Sequence, residues 1–499
     1  MKLRIISLVA LLAFVNYLFG CTTAVKVPKE RLASPKEIIV DVVLPTGELV
    51  KFDRNGGRFN PQKRLITGLT PEGKNIELNV DDILYARVKK TDVALSILAT
   101  VGVIAGVILV VFLIALATKD SCPFVYAYDG ENYVFDAEPY GGAICSGLKK
   151  TDYSRLEHLK PANGKYHLLL RNEVKETQYT DELKLLVVDH DAETEFMPDV
   201  KGNLHSIINP TVASLALDEN GKDLMNFIKA RDEIAWQSRL PIDDSYKGQD
   251  LRHHLTFAFP KPAEAETAKL LVNAGTALWG SNMIGAMLQL RGNKLDAWYE
   301  SVNRGGPELF HLMQFIEREE LYVLKLYVKE GQSWVQRGYI SGGGPFITED
   351  RVIPLDLSGV VGDTLVIRLN PPRGFWTVDY LGMEYDAHSF SEVQEVVVAS
   401  SEDQHGKDVT DLLRATDNRY QVLHDVGDWA KVSFDAPPQR EGATRTVFLE
   451  TTGYYEIHLD KGQPEQTELI HQLLTTPGLI VEYAVQEYLK WRASKLSMN

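Results

Sequence analysis

The chain has 499 residues, 44% hydrophobic and 24% charged, a balance that suits folded protein and excludes a largely disordered one. That length exceeds what a single core usually fills, so several domains are expected. A formal net charge of -15, with no run of Lys or Arg longer than a pair in the folded part, excludes nucleic acid as a partner, because displacing its counterions needs a basic patch.

Residues 1–21 read as a secretory signal: Lys2 and Arg4 lead an apolar run from Ile5 to Phe19. The ending Leu18-Phe19-Gly20-Cys21 resembles the lipobox of bacterial lipoproteins, which makes Cys21 the candidate lipidation site, although Phe19 is larger than the usual small residue. Residues 36–90 alternate short apolar runs with turns, as in Ile38–Val43, Leu49–Phe52, Leu65–Leu69, Asn75–Leu78 and Ile83–Val88. That rhythm predicts a small SH3-like or Sm-like β-barrel.

From Val93 to Thr118 the sequence carries no charge, which is long enough for a transmembrane helix. Gly102 and Gly106 form a G-x-x-x-G pair within it, a candidate for homo-oligomer contacts. Secretion through residues 1–21 followed by one span would return the large C-terminal region to the cytoplasm. Arg87, Lys89 and Lys90 before the span, against Lys119 alone after it, favour the extracytoplasmic side instead.

After the span, Phe124–Tyr128 and Asn132–Phe135 read as a hairpin turning at Asp129-Gly130. Cys122 and Cys145 flank it, either as a disulfide in an oxidising compartment or as two separate thiols. No C-x-x-C metal spacing can be built from the three cysteines. Further strands are expected at Tyr166–Leu170, Glu182–Asp189, Leu321–Val328, Trp334–Ile340, Thr364–Leu369 and Trp376–Tyr385, with a helical patch between Met283 and Phe315. An internal repeat relates Asp218–Asp232 to Asp403–Asp417, and continues from Leu255–Pro260 and Lys269–Val272 to Val432–Pro437 and Arg445–Phe448. It predicts two related β modules. Helices close the chain, one over Pro464–Leu474 and one after Pro477, with Ile480, Val481, Ala484, Val485, Tyr488 and Leu489 on one face.

The stretches Ser121–Tyr126 (SCPFVY) and Asp136–Ala143 (DAEPYGGA), with Leu156–Leu159, Glu176–Asp181 and Val187–His190, resemble an uncharacterised family of bacterial envelope lipoproteins and membrane proteins. The resemblance implies the same order of parts and carries no activity and no functional residue.

Several clusters invite a chemical reading. Asp189-His190-Asp191, with His158, Glu157 and Glu138, could form an acid/base or metal site if the pieces converge, whereas strand-end exposure is the simpler expectation. His253 and His254 are neighbours on a strand and point to opposite faces. Gly342-Gly343-Gly344 is followed by Pro345 and Phe346, which suits a loop better than a phosphate cradle. Trp279, Trp298, Trp334, Trp376 and Trp429 serve either core packing or a platform for sugar rings. No nucleophile elbow, P-loop, H-E-x-x-H or Rossmann fingerprint occurs.

The expected architecture is mainly β: signal 1–21, barrel-like domain 22–92, transmembrane helix 93–118, hairpin-rich domain 119–200, β-sandwich module with helical insertion 201–390, related β module 391–463 and C-terminal helices 464–499. The expected function is a membrane-anchored, non-catalytic envelope protein whose β modules bind protein or glycan or act as a scaffold. A hydrolase with an unrecognised site and an oligomerising membrane component are the alternatives. No catalytic, cofactor or metal residue is assigned, and the expected partners are membrane lipid and a protein or glycan.

Overall fold

The computed structural model describes residues 22–28, 32, 38–44, 49–53, 55–71, 73–83, 85–91, 124–232, 234–385 and 392–496. Residues 1–21, the expected span 93–118 with Gly102 and Gly106, and Cys21 and Cys122 therefore lie outside the described residues. Among the described residues no helix is long and apolar enough to cross a membrane. The fold is mainly β, and the chain divides into two units, 1–115 and 116–499.

In the first unit, Thr22–Pro28, Tyr85–Thr91, Ile38–Val43 and Leu49–Lys51 form one antiparallel sheet in that spatial order. Arg58–Asn60, Leu65–Leu69 and Asn75–Asn79 form a second. Alternating side chains from both, including Ile39, Val42, Phe59, Ile66, Ala86 and Val88, meet in one core closed by Phe52. The Phe52 ring lies against Gly57 and Gly68, where a Cβ would come within 2.8 and 2.6 Å of it. A bulge between Ile39 and Asp41 turns Asp41 inward, where it takes two hydrogen bonds of 2.8 Å from Arg87, the residue directly opposite. A buried carboxylate is tolerable only when paired in this way.

The second unit is built from four stretches of chain, I (124–190), II (211–276), III (323–384) and IV (393–457). Stretch I contributes the hairpin Phe124–Tyr128 and Tyr133–Ala137, then Lys150–Arg155, Lys165–Arg171 and Glu176–His190. Stretch III repeats this order with the hairpin Val323–Glu330 and Ser333–Ser341, then Glu349–Asp356, Thr364–Leu369 and Trp376–Glu384. Stretches II and IV are likewise copies. Leu215–Leu217, Trp236–Gln237, Leu255–Pro260 and Thr267–Thr276 in II match Val393–Asp403, Gln421–Leu423, Trp429–Asp435 and Thr444–Ile457 in IV.

The turn between their first two strands is repeated atom for atom. Asp218 Oδ1 accepts from the N–H of Asn220 and Lys222, and Asp403 Oδ1 from His405 and Lys407. Gly221 and Gly406 supply the left-handed residue, at φ 76° and 74°. Asp223 and Asp408 each accept from the N–H two residues on and start a short helical turn.

Each β module combines half of one copy with half of the other. Stretch I pairs with IV: Glu176–His190 lies beside Thr444–Ile457 from Glu176↔Ile457 to His190↔Thr444, and Lys165–Arg171 lies beside Trp429–Asp435. Stretch II pairs with III in the same manner, Thr267–Thr276 beside Trp376–Glu384 and Leu255–Pro260 beside Thr364–Leu369. The sequence reading separates 119–200 from 391–463, whereas the strands of 124–190 and of 393–457 lie in one nine-stranded sheet. Hydrophobic periodicity marks strands and leaves their pairing open, which is why the two halves read as separate domains.

In module I/IV the Val393–Asp403 strand passes from one layer to the other at a bulge between Val398 and Ser400. Val125, Leu168, Leu185, Val187, Val432, Phe434 and Leu449 fill the space between the layers. Helices follow stretches II and IV at equivalent places: Leu278–Gln289, Leu295–Asn303 and Pro307–Glu319 after II, Thr467–Thr475 and Leu479–Leu496 after IV. They pack together, with Ile480, Val481, Ala484 and Val485 buried. Cys145 is buried against Leu288, Tyr299 and Val302, and burial pushes its thiol up to about 11.

Opening the peptide between Gly305 and Gly306, in the turn between the second and third helices that link stretches II and III, should leave the two fragments associated, because each module draws on both. Co-expressed 1–305 and 306–499 should co-elute in size-exclusion chromatography, and 306–499 alone should lack the cooperative unfolding of the whole.

Candidate functional site

The two modules of the second unit meet along edge strands Lys150–Arg155 and Glu349–Asp356, which are equivalent in the two copies. Asp152 and Arg351 stand third in these strands, Lys150 and Glu349 first. Arg351, only 3% exposed, pairs with both Asp152 and Glu349 and donates to the carbonyls of Tyr153 and Asp350 at 2.8 Å. Ser154 Oγ donates to Glu349 at 3.1 Å. Lys150 Nζ sits 3.2 Å from Asp152 Oδ2, within ion-pair range though outside hydrogen-bond geometry. Burial pushes Asp152 up, but Lys150 and Arg351 outweigh it and hold the group below the ordinary carboxylate range. For Glu349 burial wins over the pull of Arg351, and its carboxyl is pushed up to about 7.

The Asp136–Ala143 motif serves this same junction. A Cβ on Gly141 would come within 2.9 Å of the Gly343 carbonyl, and one on Gly344 would overlap the Glu138 carboxyl, so both loops need glycine for their approach. Glu138, buried, accepts from the N–H of Phe346 at 2.9 Å and of Ile347 at 3.4 Å. Tyr140 adopts φ 60° and is hydrogen-bonded through its hydroxyl to Thr180 and Thr451 at 3.0 Å each. Gly342–Gly344 is a loop, with its glycines set against protein.

The acid/base candidates go to separate partners. Asp189 is clamped by Arg445 through Nε at 2.6 Å and Nη2 at 2.8 Å, which holds it below the ordinary carboxylate range. His190 bonds Thr446 Oγ1 at 2.8 Å, Asp191 pairs with Arg440 at 2.9 Å, and His158 with Asp136 at 2.8 Å. His253 meets Glu219 at 3.0 Å, while His254 meets Asn370 and Asp250. Among the described residues no three His, Cys, Asp or Glu side chains converge on a metal-sized space.

A ligand-sized concavity lies elsewhere, where helix Leu278–Gln289 crosses helix Leu479–Leu496. Trp279 Nε1 donates to the Ala484 carbonyl at 3.0 Å, and its ring lies 5.2 Å from Tyr488 and 5.9 Å from Trp491. An open cleft of about 410 Å³ beside them is lined by Trp279, Asn282, Met283, Ala286, Glu487, Lys490 and Trp491. Asn282 Oδ1 is buried and has no hydrogen-bond donor among the described residues. Of the tryptophans singled out above, Trp376 is wholly buried and bonds the Glu320 carbonyl, whereas Trp279 lines this cleft. Trp491 was missed; its spacing of three from Tyr488 on a helix is the signal that points to it.

No protein-family model and no curated protein matches the chain. Among solved structures, a beta-porphyranase of glycoside hydrolase family 86 from the human gut bacterium Bacteroides plebeius matches at 9% identity, with TM-score 0.17, over 48% of this chain and 37% of that one. BuGH86 in complex with neoagarooctaose matches at 9% identity and TM-score 0.17, over 46% of this chain and 33% of that one. The chain thus spans well under half of either, and likenesses this slight define neither fold nor activity.

Replacing Arg351 by Ala would leave Asp152 and Glu349 buried without their shared cation, and should cost about 3–5 kcal/mol in denaturant unfolding. Because Glu349 titrates above its ordinary value of 4.5, its contribution is present below that pH and is lost as pH rises through about 7. Glu349→Gln should therefore gain in thermal midpoint relative to the unsubstituted protein between pH 5 and pH 8.

Proposed function

We propose that the protein is a non-catalytic binding protein of the bacterial envelope, with the Trp279–Trp491 cleft taking a sugar ring of a glycan. The cleft carries this reading. Its volume falls in the range of small-ligand sites, about 300–1,000 Å³, and its walls combine aromatic rings with a few polar groups. Stacking on an indole suits the C–H face of a sugar, and Lys490 and Glu487 suit its hydroxyls. The acid/base candidates, by contrast, are engaged in contacts that hold strands and loops together.

The membrane part of the proposal rests on sequence: the signal-like residues 1–21 with Cys21, and the uncharged stretch 93–118. The first unit, two small sheets over one core, is read as an SH3-like or Sm-like barrel, and the two modules of the second as β-sandwiches facing the extracytoplasmic side.

A glycan array with the full chain should give a defined set of ligands, and Trp491→Ala should weaken them about tenfold or more with the melting temperature unchanged. A folded protein that binds no glycan would refute the cleft reading. Cys21→Ala should abolish incorporation of radiolabelled palmitate, while carbonate-washed membranes retain the protein through 93–118.

A further inference from the structure

The outward face of the sheet that holds Val323–Glu330, Ser333–Ser341 and Thr364–Leu369 has a composition at odds with the rest of this acidic chain. Burial alternates along these strands: Leu324, Leu326, Val328, Leu365, Ile367 and Leu369 face the core, so Lys325, Tyr327, Lys329, Val366 and Arg368 face out. The pairing register then sets a cation beside a ring in three successive rows. Lys325 lies opposite Tyr339, Arg368 opposite Tyr327, and Lys329 opposite Trp334. Successive outward residues on a strand are about 6.6–6.8 Å apart, so the register sets one aromatic and one cationic residue in each interval, with the Arg368 guanidinium reaching across to the Trp334 ring of the next row.

Arg368 is the unusual member. Its guanidinium lies 3.9 Å from the centroid of the Trp334 ring, and among the described residues it forms no ion pair and no hydrogen bond. Its Nε is buried without a partner. Desolvation lowers its pKa, with no acidic neighbour acting against it. Lys325 and Lys329 form no ion pair among the described residues either, and none of the three strands projects a carboxylate outward. Acidic groups reach only the margin: Glu317 accepts from the Tyr339 hydroxyl at 2.9 Å, and Glu320 is held by Arg252 at 3.1 Å. Lys325 lies beside the Glu320 carboxylate, which accepts from its backbone N–H at 3.0 Å, so in a protein of net charge -15 the two cations without counter-charges on this face, Lys329 and Arg368, call for an anion from outside.

We infer that this sheet face binds an acidic polysaccharide, a chain whose rings carry carboxylate or sulfate groups, with Arg368 clamping one anion. The repeat of one ring and one cation per row matches a polymer that offers an apolar ring face and an anion in each unit. The strands here are already paired on both sides or lie at the hairpin edge, so a sheet face offers no backbone ladder to an acidic peptide. This site is separate from the helical cleft and does not depend on it.

The test is affinity electrophoresis and titration calorimetry of the full chain with oligogalacturonate, next to neutral dextran oligomers, polyaspartate and anionic phosphatidylglycerol vesicles. Binding of oligogalacturonate, weakening steeply with salt and falling at least tenfold in Arg368→Gln, is expected, with Arg368→Lys recovering part of it. Trp491→Ala should leave that binding unchanged, which separates failure of this site from failure of the cleft. Circular dichroism melting of Arg368→Gln controls for folding. Equal affinity of Arg368→Gln and the parent, or tighter binding of polyaspartate or vesicles than of oligogalacturonate, would overturn the inference.

Discussion

Everything in the second unit depends on one antiparallel pairing, Glu176–His190 against Thr444–Ile457, between stretches at opposite ends of the unit's sequence. It holds the long strands of module I/IV in register, seats Tyr140 against Thr180 and Thr451, and places Asp189 opposite its clamp Arg445. The equivalent pairing in module II/III joins nearer partners, so the same β unit is assembled twice with different connectivity. Two copies of one sequence pattern have exchanged halves within a single chain, as identical protomers do when they swap an element.

That exchange explains the charged junction. Where equivalent edge strands face each other, identical residues would bring like charges together. The two copies have diverged at the third strand position into Asp152 and Arg351, and at the first into Lys150 and Glu349, so that equivalent places carry opposite signs. A buried network of this kind contributes less to net stability than to fixing how the modules meet, since an ill-placed partner would leave a charge uncompensated. The glycines of Asp136–Ala143 and of Gly342–Gly344 do the corresponding work for the backbone, allowing two loops to approach where any side chain would intrude.

Local features could be read from the sequence with some success. The Asp129-Gly130 hairpin, the alternating strands and the apolar stripe of the last helix all follow from residue spacing. The Asp218 and Asp403 turns are legible because turn chemistry is written in a few contiguous residues. The relation of stretch I to stretch III was not found, because those copies share little beyond burial alternation and paired glycines. Pairing partners, and with them the module boundaries, depend on contacts between distant residues that periodicity does not encode. The same limit applied to sites: Asp189, His190 and Glu138 look like chemistry in isolation, and only their partners Arg445, Thr446 and the 346–347 backbone give them structural roles. Trp491 and Arg368 carry no such mark in the sequence, because the neighbours that give them a role come from other elements.

The nesting of module II/III inside module I/IV sets an order of events during synthesis. The inner module has all its strands once residue 384 has emerged, whereas stretch I must wait, with its strand edges open, for residues 393–457. A chain that stopped short of residue 440 would therefore lose the module containing the second unit's first strands while keeping the one in its middle. Damage at the end of the message would show itself as unfolding at the start of the second unit, about 300 residues upstream.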